Sequence, residues 1–224
     1  MFETKRLVAQ NFINKNVLRK YIVFIFFFHI SHCIQTQTKP KNFFDLSRPA
    51  KNWVVFHPFK AKRALKISLE AQRISDSIKQ TNLLDGDSDG GQVDAFRHAF
   101  WMARLHQEIG LSAARSLGKK HEKENYLTFK KNQLENKSVP DKIASTMDLH
   151  NNEEGLKLTT KGIKVPINGL VFRVINAIKR GDMKIIKKDK NGKSLTCNGK
   201  KIPKETLIGK WKNNRCLVAS NIKH

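Results

Sequence analysis

The stretch DAFRHAFW, at residues 94–101, decides the fold of this chain because it combines a helical pattern with charged side chains among apolar ones. Asp94 and His98 are four residues apart, so they share one face of a helix. An aspartate beside a histidine fixes the ring tautomer and raises the basicity of the ring. The stretch therefore predicts a packed helix that carries a polar site on one face.

Two further segments concentrate polar residues in the same way. They are KKHEKEN at residues 119–125 and MDLHNN at residues 147–152. Apolar residues surround both, and buried ionisable groups are costly unless they are paired or used. We therefore expect the three segments to lie on three helices and to form one inward-facing polar cluster.

Helical spacing of apolar residues extends well beyond these segments. After Gly181 the pattern changes, and Asn191-Gly192 is typical of the turn of a β-hairpin. The sequence predicts a mainly α fold, an orthogonal helical domain with a small C-terminal basic β-hairpin appendage. The predicted helices cover residues 61–80, 93–109, 112–124, 140–154 and 169–179, and the hairpin arms cover 183–187 and 193–197.

The N-terminal residues are typical of a targeting segment. Lysines and arginines precede the apolar run at residues 21–28, which is shorter than the roughly 20 apolar residues that a membrane span needs. The chain is therefore predicted to be exported, as a periplasmic protein, a secreted protein or an outer-membrane lipoprotein modified at Cys33. The predicted divisions are a signal peptide or membrane anchor at 1–34, a linker at 35–52, the helical domain at 53–181 and the basic β appendage at 182–224.

The chain is strongly basic, with a formal net charge of +24 and a pI of about 10.2. Residues 182–224 hold twelve lysines and arginines against three acidic residues. This charge favours an anionic membrane or envelope surface as a partner, although a solvated basic surface is the alternative. Nucleic acid is not favoured, since no zinc-finger, helix-turn-helix or RNP-type motif is present. We expect the appendage to bind the anionic surface and to be dispensable for folding of the helical domain.

The cysteine count leaves two alternatives for the appendage. Once Cys33 is set aside with the targeting segment, Cys197 and Cys216 remain as a pair. In an exported protein such a pair can form a disulfide. Two reduced, buried cysteines are the alternative.

The polar cluster supplies residue types that hydrolases use. His98, oriented by Asp94, is a candidate to activate water or to bind a metal. Arg97 is a candidate to stabilise an anionic intermediate. The candidate catalytic residues are His98, Asp94, Arg97, His121, Asp148 and Asn152, with Asn151 as the alternative to Asn152.

Two kinds of metal site are compatible with the sequence. A zinc site would draw on His98, His121, Asp148 and His150, although no HExxH motif is present. Asp85, Asp87 and Asp89 form a DxDxDG segment, the first half of a calcium loop. The twelfth position of that loop is Phe96 rather than glutamate, so the segment is not an EF-hand. An acidic turn that caps the next helix is the alternative to calcium binding.

The outer two motifs resemble those of a bacterial domain family of unknown function. Its members are marked by (G)DAFRHAxW on one helix, an HE segment on the next and MDxHNNxxG on a third. The chain departs from this pattern at Val93, where the family often has glycine, and at Lys120, where it often has alanine. The resemblance covers residues 94–181 and implies a domain whose reaction is not established, in a family with many exported members. The matching residues are Asp94, Ala95, Phe96, Arg97, His98, Ala99, Trp101, His121, Glu122, Met147, Asp148, His150, Asn151, Asn152 and Gly155.

Two functions are compatible with these observations. The first is an exported hydrolase that acts on an anionic envelope or lipid substrate through the His/Asp cluster, with zinc or calcium as the candidate cofactor. The second is a non-catalytic envelope protein in which a buried polar network holds three helices in register. A solvent-reachable pocket around His98, His121, Asp148 and Asn152 would favour the first, and full burial with mutual hydrogen bonds would favour the second.

Overall fold

The computed structural model describes residues 46–131 and 140–222. Over these residues the protein consists of six α-helices followed by a small two-stranded antiparallel sheet, so the predicted mainly helical fold class with a small β appendage is confirmed. The helices are α1 (Arg48–Phe56), α2 (Pro58–Lys79), α3 (Gln92–Ile109), α4 (Leu111–Lys130), α5 (Lys142–Lys157) and α6 (Ile167–Arg180). The strands are β1 (Lys184–Ile186) and β2 (Leu217–Ala219), and one 3-10 turn covers Lys204–Thr206.

Helix α1 begins inside the segment that the sequence predicts as a linker. Ser47 caps it, since its side-chain oxygen accepts a hydrogen bond from the backbone N–H of Ala50 at 3.3 Å. Pro49 lies in the first turn, where a proline is tolerated because its missing N–H has no partner in a helix. Trp53 is buried and donates from Nε1 to the carbonyl of Ala113 on α4. The linker prediction is therefore wrong for residues 48–52, which form the first part of α1.

Helix α3 lies at the centre of the helical domain. Its apolar residues pack against α2 and α6 on one side and against α1 and α4 on another. Phe96 and Phe100 are fully buried and stack with ring centroids 5.6 Å apart. A helix that is apolar over most of its circumference must be enclosed by other elements. The polar face with Asp94 and His98 is therefore buried together with the apolar faces.

Helix α5 approaches α3 closely because of a glycine. A Cβ atom at Gly155 would collide with the backbone of Ala99 on α3. Asn152 and Asp148 precede Gly155 by about one and two turns, so they lie on the same side of α5. The contact between the two backbones therefore brings both polar side chains to His98.

The C-terminal strands pair differently from the predicted hairpin. The Asn191-Gly192 turn forms, with Gly192 at a φ of +74°, but the arms that it joins share only the bridge between Lys188 and Ser194. Strand β1 pairs instead with β2, with Ile186 opposite Leu217. The arm after the turn, residues 193–197, mixes polar and apolar residues, whereas all three residues of β2 are apolar and partly buried.

Strand β1 belongs to the hydrophobic core. Met183, Ile185 and Ile186 are fully buried, and the first two pack with apolar residues of α3 and α6. Ser220, after β2, donates from Oγ to the carbonyl of Ile178 on α6 at 2.7 Å. The appendage is thus separate in sequence but its strands complete the core. We therefore expect the helical domain to depend on these strands for its folding, unlike the dispensable appendage that the sequence suggested.

A disulfide closes the C-terminal segment. Cys197 and Cys216 are joined with an S–S distance of 2.03 Å. The backbone carbonyl of Cys216 accepts a hydrogen bond from Lys187, next to β1, and its N–H donates to Leu195. The disulfide therefore ties the hairpin arm to the sheet, which is the first of the two alternatives for this cysteine pair.

No helix within residues 46–131 and 140–222 is long and apolar enough to cross a membrane. The predicted targeting segment at residues 1–34, with Cys33, lies outside the described residues, as does most of the predicted linker.

Candidate metal centre

Three side chains on two helices converge at the centre of the domain. Nε2 of His98 lies 3.6 Å from Oδ1 of Asp94 and 3.4 Å from Oδ1 of Asp148. All three residues are buried, and one ligand atom from each lies within 4.8 Å of the other two. Among the residues described, no other group of three histidines, cysteines and acidic residues has this geometry. The structure thus brings together three of the predicted site residues.

Asn152 determines the tautomer of His98. Nδ1 of His98 lies 3.3 Å from Oδ1 of Asn152, and both residues are buried. An amide oxygen can only accept a hydrogen bond, so Nδ1 carries the proton when the ring is neutral. The lone pair of His98 is then on Nε2, which faces the two carboxylates.

Arg97 brings a positive charge to the edge of the cluster. Its Nη2 donates to Oδ1 of Asp94 at 2.5 Å and lies 3.3 Å from Nε2 of His98. The Arg97 side chain is 22% exposed, whereas Asp94 and His98 are almost completely buried. Arg97 therefore partly compensates the two carboxylates from the side nearer to solvent.

The aromatic rings of His121 and Trp101 pack together next to His98. The rings of His121 and His98 have centroids 6.1 Å apart, and Trp101 meets His121 edge to face at 5.7 Å. Trp101 donates from Nε1 to Oγ of Ser68 on α2 at 2.9 Å, which fixes the orientation of its ring. Both His121 and Trp101 are partly exposed. His121 is therefore next to the cluster but outside the group of converging ligands.

Strand β1 holds both helices that carry the ligands. The backbone N–H of Ile186 donates to the carbonyl of Gly90, and the N–H of Gly90 donates to Oδ2 of Asp94, each at 2.7 Å. On the other helix, the side-chain amide of Asn151 bonds to both backbone groups of Lys184, at 2.8 and 2.9 Å. Asn151 therefore positions the helix of Asp148, and it does not face the cluster as the sequence suggested.

Burial controls the protonation of the cluster. It lowers the pKa of His98 well below its ordinary value, and the nearby Arg97 and His121 lower that pKa further by electrostatic repulsion, against the hydrogen bond to Asn152. Burial and Arg97 also lower the pKa of His121, to about 4. For Asp94, burial raises the pKa, against the opposing effects of Arg97 and the Gly90 N–H. Both rings are thus neutral at pH 7, the state that metal binding requires.

The chain matches one protein family over residues 51–182, which include α2 to α6, most of α1 and all three polar segments. That match covers more than half of the chain. The protein belongs to the DUF6973 family, a domain of unknown function. The resemblance to a domain family of unknown function is therefore confirmed. No curated protein and no solved structure matches the DUF6973 chain.

In the DUF6973 domain the two depressed histidine pKa values predict a loss of stability in mild acid. The unfolded chain binds protons near the ordinary histidine pKa of about 6.5, whereas folded His121 does so only at about 4. Stability is therefore present above about pH 6.5 and falls as the pH is lowered towards 4. The raised pKa of Asp94 acts in the opposite direction, because the folded state takes up that proton first.

Thermal melting in the presence of a chelator, from pH 7.5 down to 4.5, measures this loss. His121→Gln should flatten the curve, since it removes one of the two groups. A melting temperature that is equal at pH 7 and pH 5 would show that the histidines do not carry this coupling.

The candidate site residues did not include a second polar group, which lies beside the cluster. Glu122 is buried, and its Oε2 accepts from Oγ of Ser145 at 2.5 Å and from Nδ2 of Asn125 at 3.3 Å. This contact ties α4 to α5 one turn before Asp148. The spacing of three residues between Glu122 and Asn125, and again between Ser145 and Asp148, is the signal that could have revealed it.

His150 is not part of the cluster. Its Nε2 lies 3.0 Å from the backbone carbonyl of Asp182, at the end of α6. His150 follows Asp148 by two residues, which turns it by roughly 200° around the helix. The prediction of His150 as a metal ligand is therefore wrong, since the two side chains point in nearly opposite directions.

The acidic DxDxDG loop caps backbone groups and contacts a lysine. Asp85 Oδ1 accepts from the N–H of Asp87, and Asp87 Oδ1 accepts from the N–H of Asp89, at 2.9 and 3.0 Å. Nζ of Lys188 lies 2.5 Å from Asp87 Oδ2 and bonds to the Asp89 carbonyl. Asp85 also accepts from the N–H of Gln92, the first residue of α3. The three carboxylates do not converge as calcium ligands, and the loop is the acidic cap that was the alternative.

Proposed function

We propose that this DUF6973 protein is a metal-dependent hydrolase whose metal ion is held by Asp94, His98 and Asp148. The observation that carries the proposal is the separation of the ligand atoms. Ligands at about 2.0–2.2 Å from a tetrahedral metal ion lie about 3.4 Å apart. The separations of 3.4 and 3.6 Å around Nε2 of His98 are close to that value.

The hydrogen bond behind His98 supports the same proposal. A metal-binding histidine usually donates its other ring N–H to an acceptor that fixes the ring. Asn152 Oδ1 supplies that acceptor at 3.3 Å. One imidazole and two carboxylates suit zinc or manganese better than calcium, which prefers oxygen ligands alone.

The surrounding residues have roles that fit hydrolysis. A bound divalent ion lowers the pKa of a coordinated water molecule and so supplies a nucleophile near neutral pH. His121 is neutral at pH 7 and lies beside the ligands on the partly exposed side, so its ring can form a hydrogen bond with a substrate or an attacking water molecule, although its pKa of about 4 makes it a weak base. Arg97, also partly exposed, can stabilise negative charge that develops on the substrate.

We further propose that the protein is exported and that its substrate is an anionic envelope or lipid molecule. The formal net charge of +24 favours an anionic substrate. The disulfide between Cys197 and Cys216 supports an oxidising compartment, as does the apolar run that follows a basic segment at the N-terminus.

A non-catalytic structural network is the second candidate function. Its support is the burial of Asp94, His98 and Asp148, together with the position of Arg97 Nη2 between Asp94 and His98. One observation weighs against it. Nδ2 of Asn152 is buried and has no hydrogen-bond partner among the residues that the structure describes, whereas a network that only stabilises a fold satisfies its donors.

Metal analysis of the natively purified protein separates the two candidates. The hydrolase proposal expects about one zinc or manganese ion per chain and a melting temperature that rises with the added ion after chelation. It also expects metal-dependent cleavage of ester or phosphodiester substrates. Asp148→Asn should remove all three effects, whereas the control Asp76→Asn, on the exposed face of α2, should remove none. A metal-free protein that neither melts higher with these ions nor cleaves these substrates would support the structural network.

A further inference from the structure

An exposed apolar residue projects from the basic C-terminal segment. Ile208 is 67% exposed, in a turn closed by the hydrogen bond from the N–H of Lys210 to the carbonyl of Leu207. Gly209 has a φ of +70°, which allows the chain to reverse there. Three exposed lysines flank the turn, namely Lys204, Lys210 and Lys212. An exposed isoleucine is therefore presented by a segment that holds three exposed lysines and one exposed acidic residue, Glu205.

Aromatic rings lie at the base of this turn. Trp211 packs against Tyr126 and Phe129, at the C-terminal end of α4, with ring centroids 4.9 and 5.2 Å away. Nζ of Lys130 lies 5.6 Å from the centre of the Tyr126 ring. Tyr126 is exposed, and the other two rings are partly exposed. The turn and these rings form what we call the basic apolar patch: residues 204–212 with Tyr126, Phe129 and Lys130.

The patch is held in place by the helical domain. The carbonyl of Trp211 accepts from the N–H of Lys142 at 2.8 Å. Asp141, which caps α5, accepts from Nδ2 of Asn213 at 2.7 Å and forms an ion pair with Arg215. The side chains of Asp141 and Arg215 are largely buried. The patch is therefore pre-formed, so little ordering is needed when it meets a partner.

We propose that the basic apolar patch binds the surface of a bilayer that contains anionic lipid. Tryptophan and tyrosine favour the boundary between lipid headgroups and hydrocarbon, and an exposed isoleucine gains by entering it. Lysines around such a side chain are attracted to anionic headgroups at the same depth. The patch combines apolar insertion and electrostatic attraction on one surface. This inference is independent of the metal centre, since no residue of the patch belongs to it.

The arrangement fits a bilayer better than a nucleic acid. Binding of single strands uses aromatic faces that are open to stacking bases, whereas Trp211 packs against two other rings. A phosphate backbone also makes no use of an exposed isoleucine. The charge alone would suit both partners, so the apolar tip is the feature that distinguishes them.

Sedimentation of the full chain with lipid vesicles tests the proposal. Binding to vesicles of phosphatidylcholine and phosphatidylglycerol should exceed binding to phosphatidylcholine alone and should weaken as salt is added. Ile208→Ser should lower the partition coefficient about tenfold. The double variant Lys210→Gln/Lys212→Gln should lower it by about tenfold or more. Two matched controls, Ile163→Ser at a residue 61% exposed and Lys62→Gln/Lys66→Gln on α2, should leave it unchanged.

Quenching by brominated lipid reports insertion of the patch even where another part of the chain also binds the vesicles. The tryptophan fluorescence of the protein should be quenched in anionic vesicles, and Trp211→Phe should remove the quenched component. Quenching that persists in Trp211→Phe, or patch variants that bind like the controls, would overturn the proposal. So would binding of a DNA duplex that depends on Lys210 and Lys212 without any binding to vesicles.

Discussion

A chain that ends at Asp182 is expected to lose cooperative folding. It would lack Met183, Ile185 and Ile186, which are fully buried. Removing one large apolar side chain from a core costs about 2–5 kcal/mol, and the stability of a whole domain is only about 5–15 kcal/mol. The truncated chain would also lose the bond from Ile186 to Gly90 and both bonds between Lys184 and Asn151. Circular dichroism should show a broad melting curve with a reduced helical signal.

A matched pair of substitutions in the full-length protein distinguishes the effect of losing a buried side chain from the effect of shortening the chain. Ile185→Ala should destabilise the full-length protein by about 2–5 kcal/mol, because the residue is completely buried. Ile208→Ala, at an exposed isoleucine, should change the free energy of unfolding by less than about 0.5 kcal/mol. If the truncated chain kept a sharp transition at the temperature of the full-length protein, β1 would not be part of the core.

Replacing His98 by alanine is expected to abolish metal binding and to destabilise the metal-free protein. The variant lacks the Nε2 ligand that faces Asp94 and Asp148. It also leaves the buried Oδ1 of Asn152 without its partner, at a cost of about 1–3 kcal/mol. Calorimetric titration with zinc and manganese should show no binding, and the melting temperature should be lower than that of the wild type in chelator.

His150→Ala is the control for that experiment. His150 lies on α5 near Asp148, but its ring contacts the Asp182 carbonyl instead of the cluster. This variant should bind metal with the affinity of the wild type. A His98→Ala protein with an unchanged melting temperature and unchanged metal binding would contradict both the hydrolase and the structural network as roles for this residue.

Much of the helical fold was predictable because its determinants are local. The apolar periodicity of residues 93–109 predicted α3, which runs from Gln92 to Ile109. Gly110 and Gly181 mark the ends of α3 and α6, since both adopt positive φ angles of 87° and 89° that suit glycine. Helix α1 was missed because it has only nine residues, too few to show a helical period clearly, and because its burial depends on packing against the distant α4, where Trp53 bonds to the Ala113 carbonyl.

The sequence also identified most of the site. The spacing of four residues between Asp94 and His98 is a local property of α3, and the polar motif on α5 pointed to Asp148 and Asn152. It did not show which of these atoms meet, because that depends on the approach of α5 to α3 at Gly155. The rotation of α5 about its own axis in that contact places His150 away from the cluster and turns Asn151 towards β1.

The sequence by itself determined five of the six helices in the described residues, the Asn191-Gly192 turn and the residue types of the polar cluster. These depend on interactions between residues close together in the chain. Only the tertiary structure decided that Lys188 contacts the acidic loop, that β1 pairs with β2, and that β1 completes the core. The contacts of β1 with β2 and with α3, and that of Lys188 with Asp87, join residues about 30 or more positions apart. Such contacts follow from how the buried faces fit together. The apolar periodicity of one segment does not indicate which distant segment it will contact.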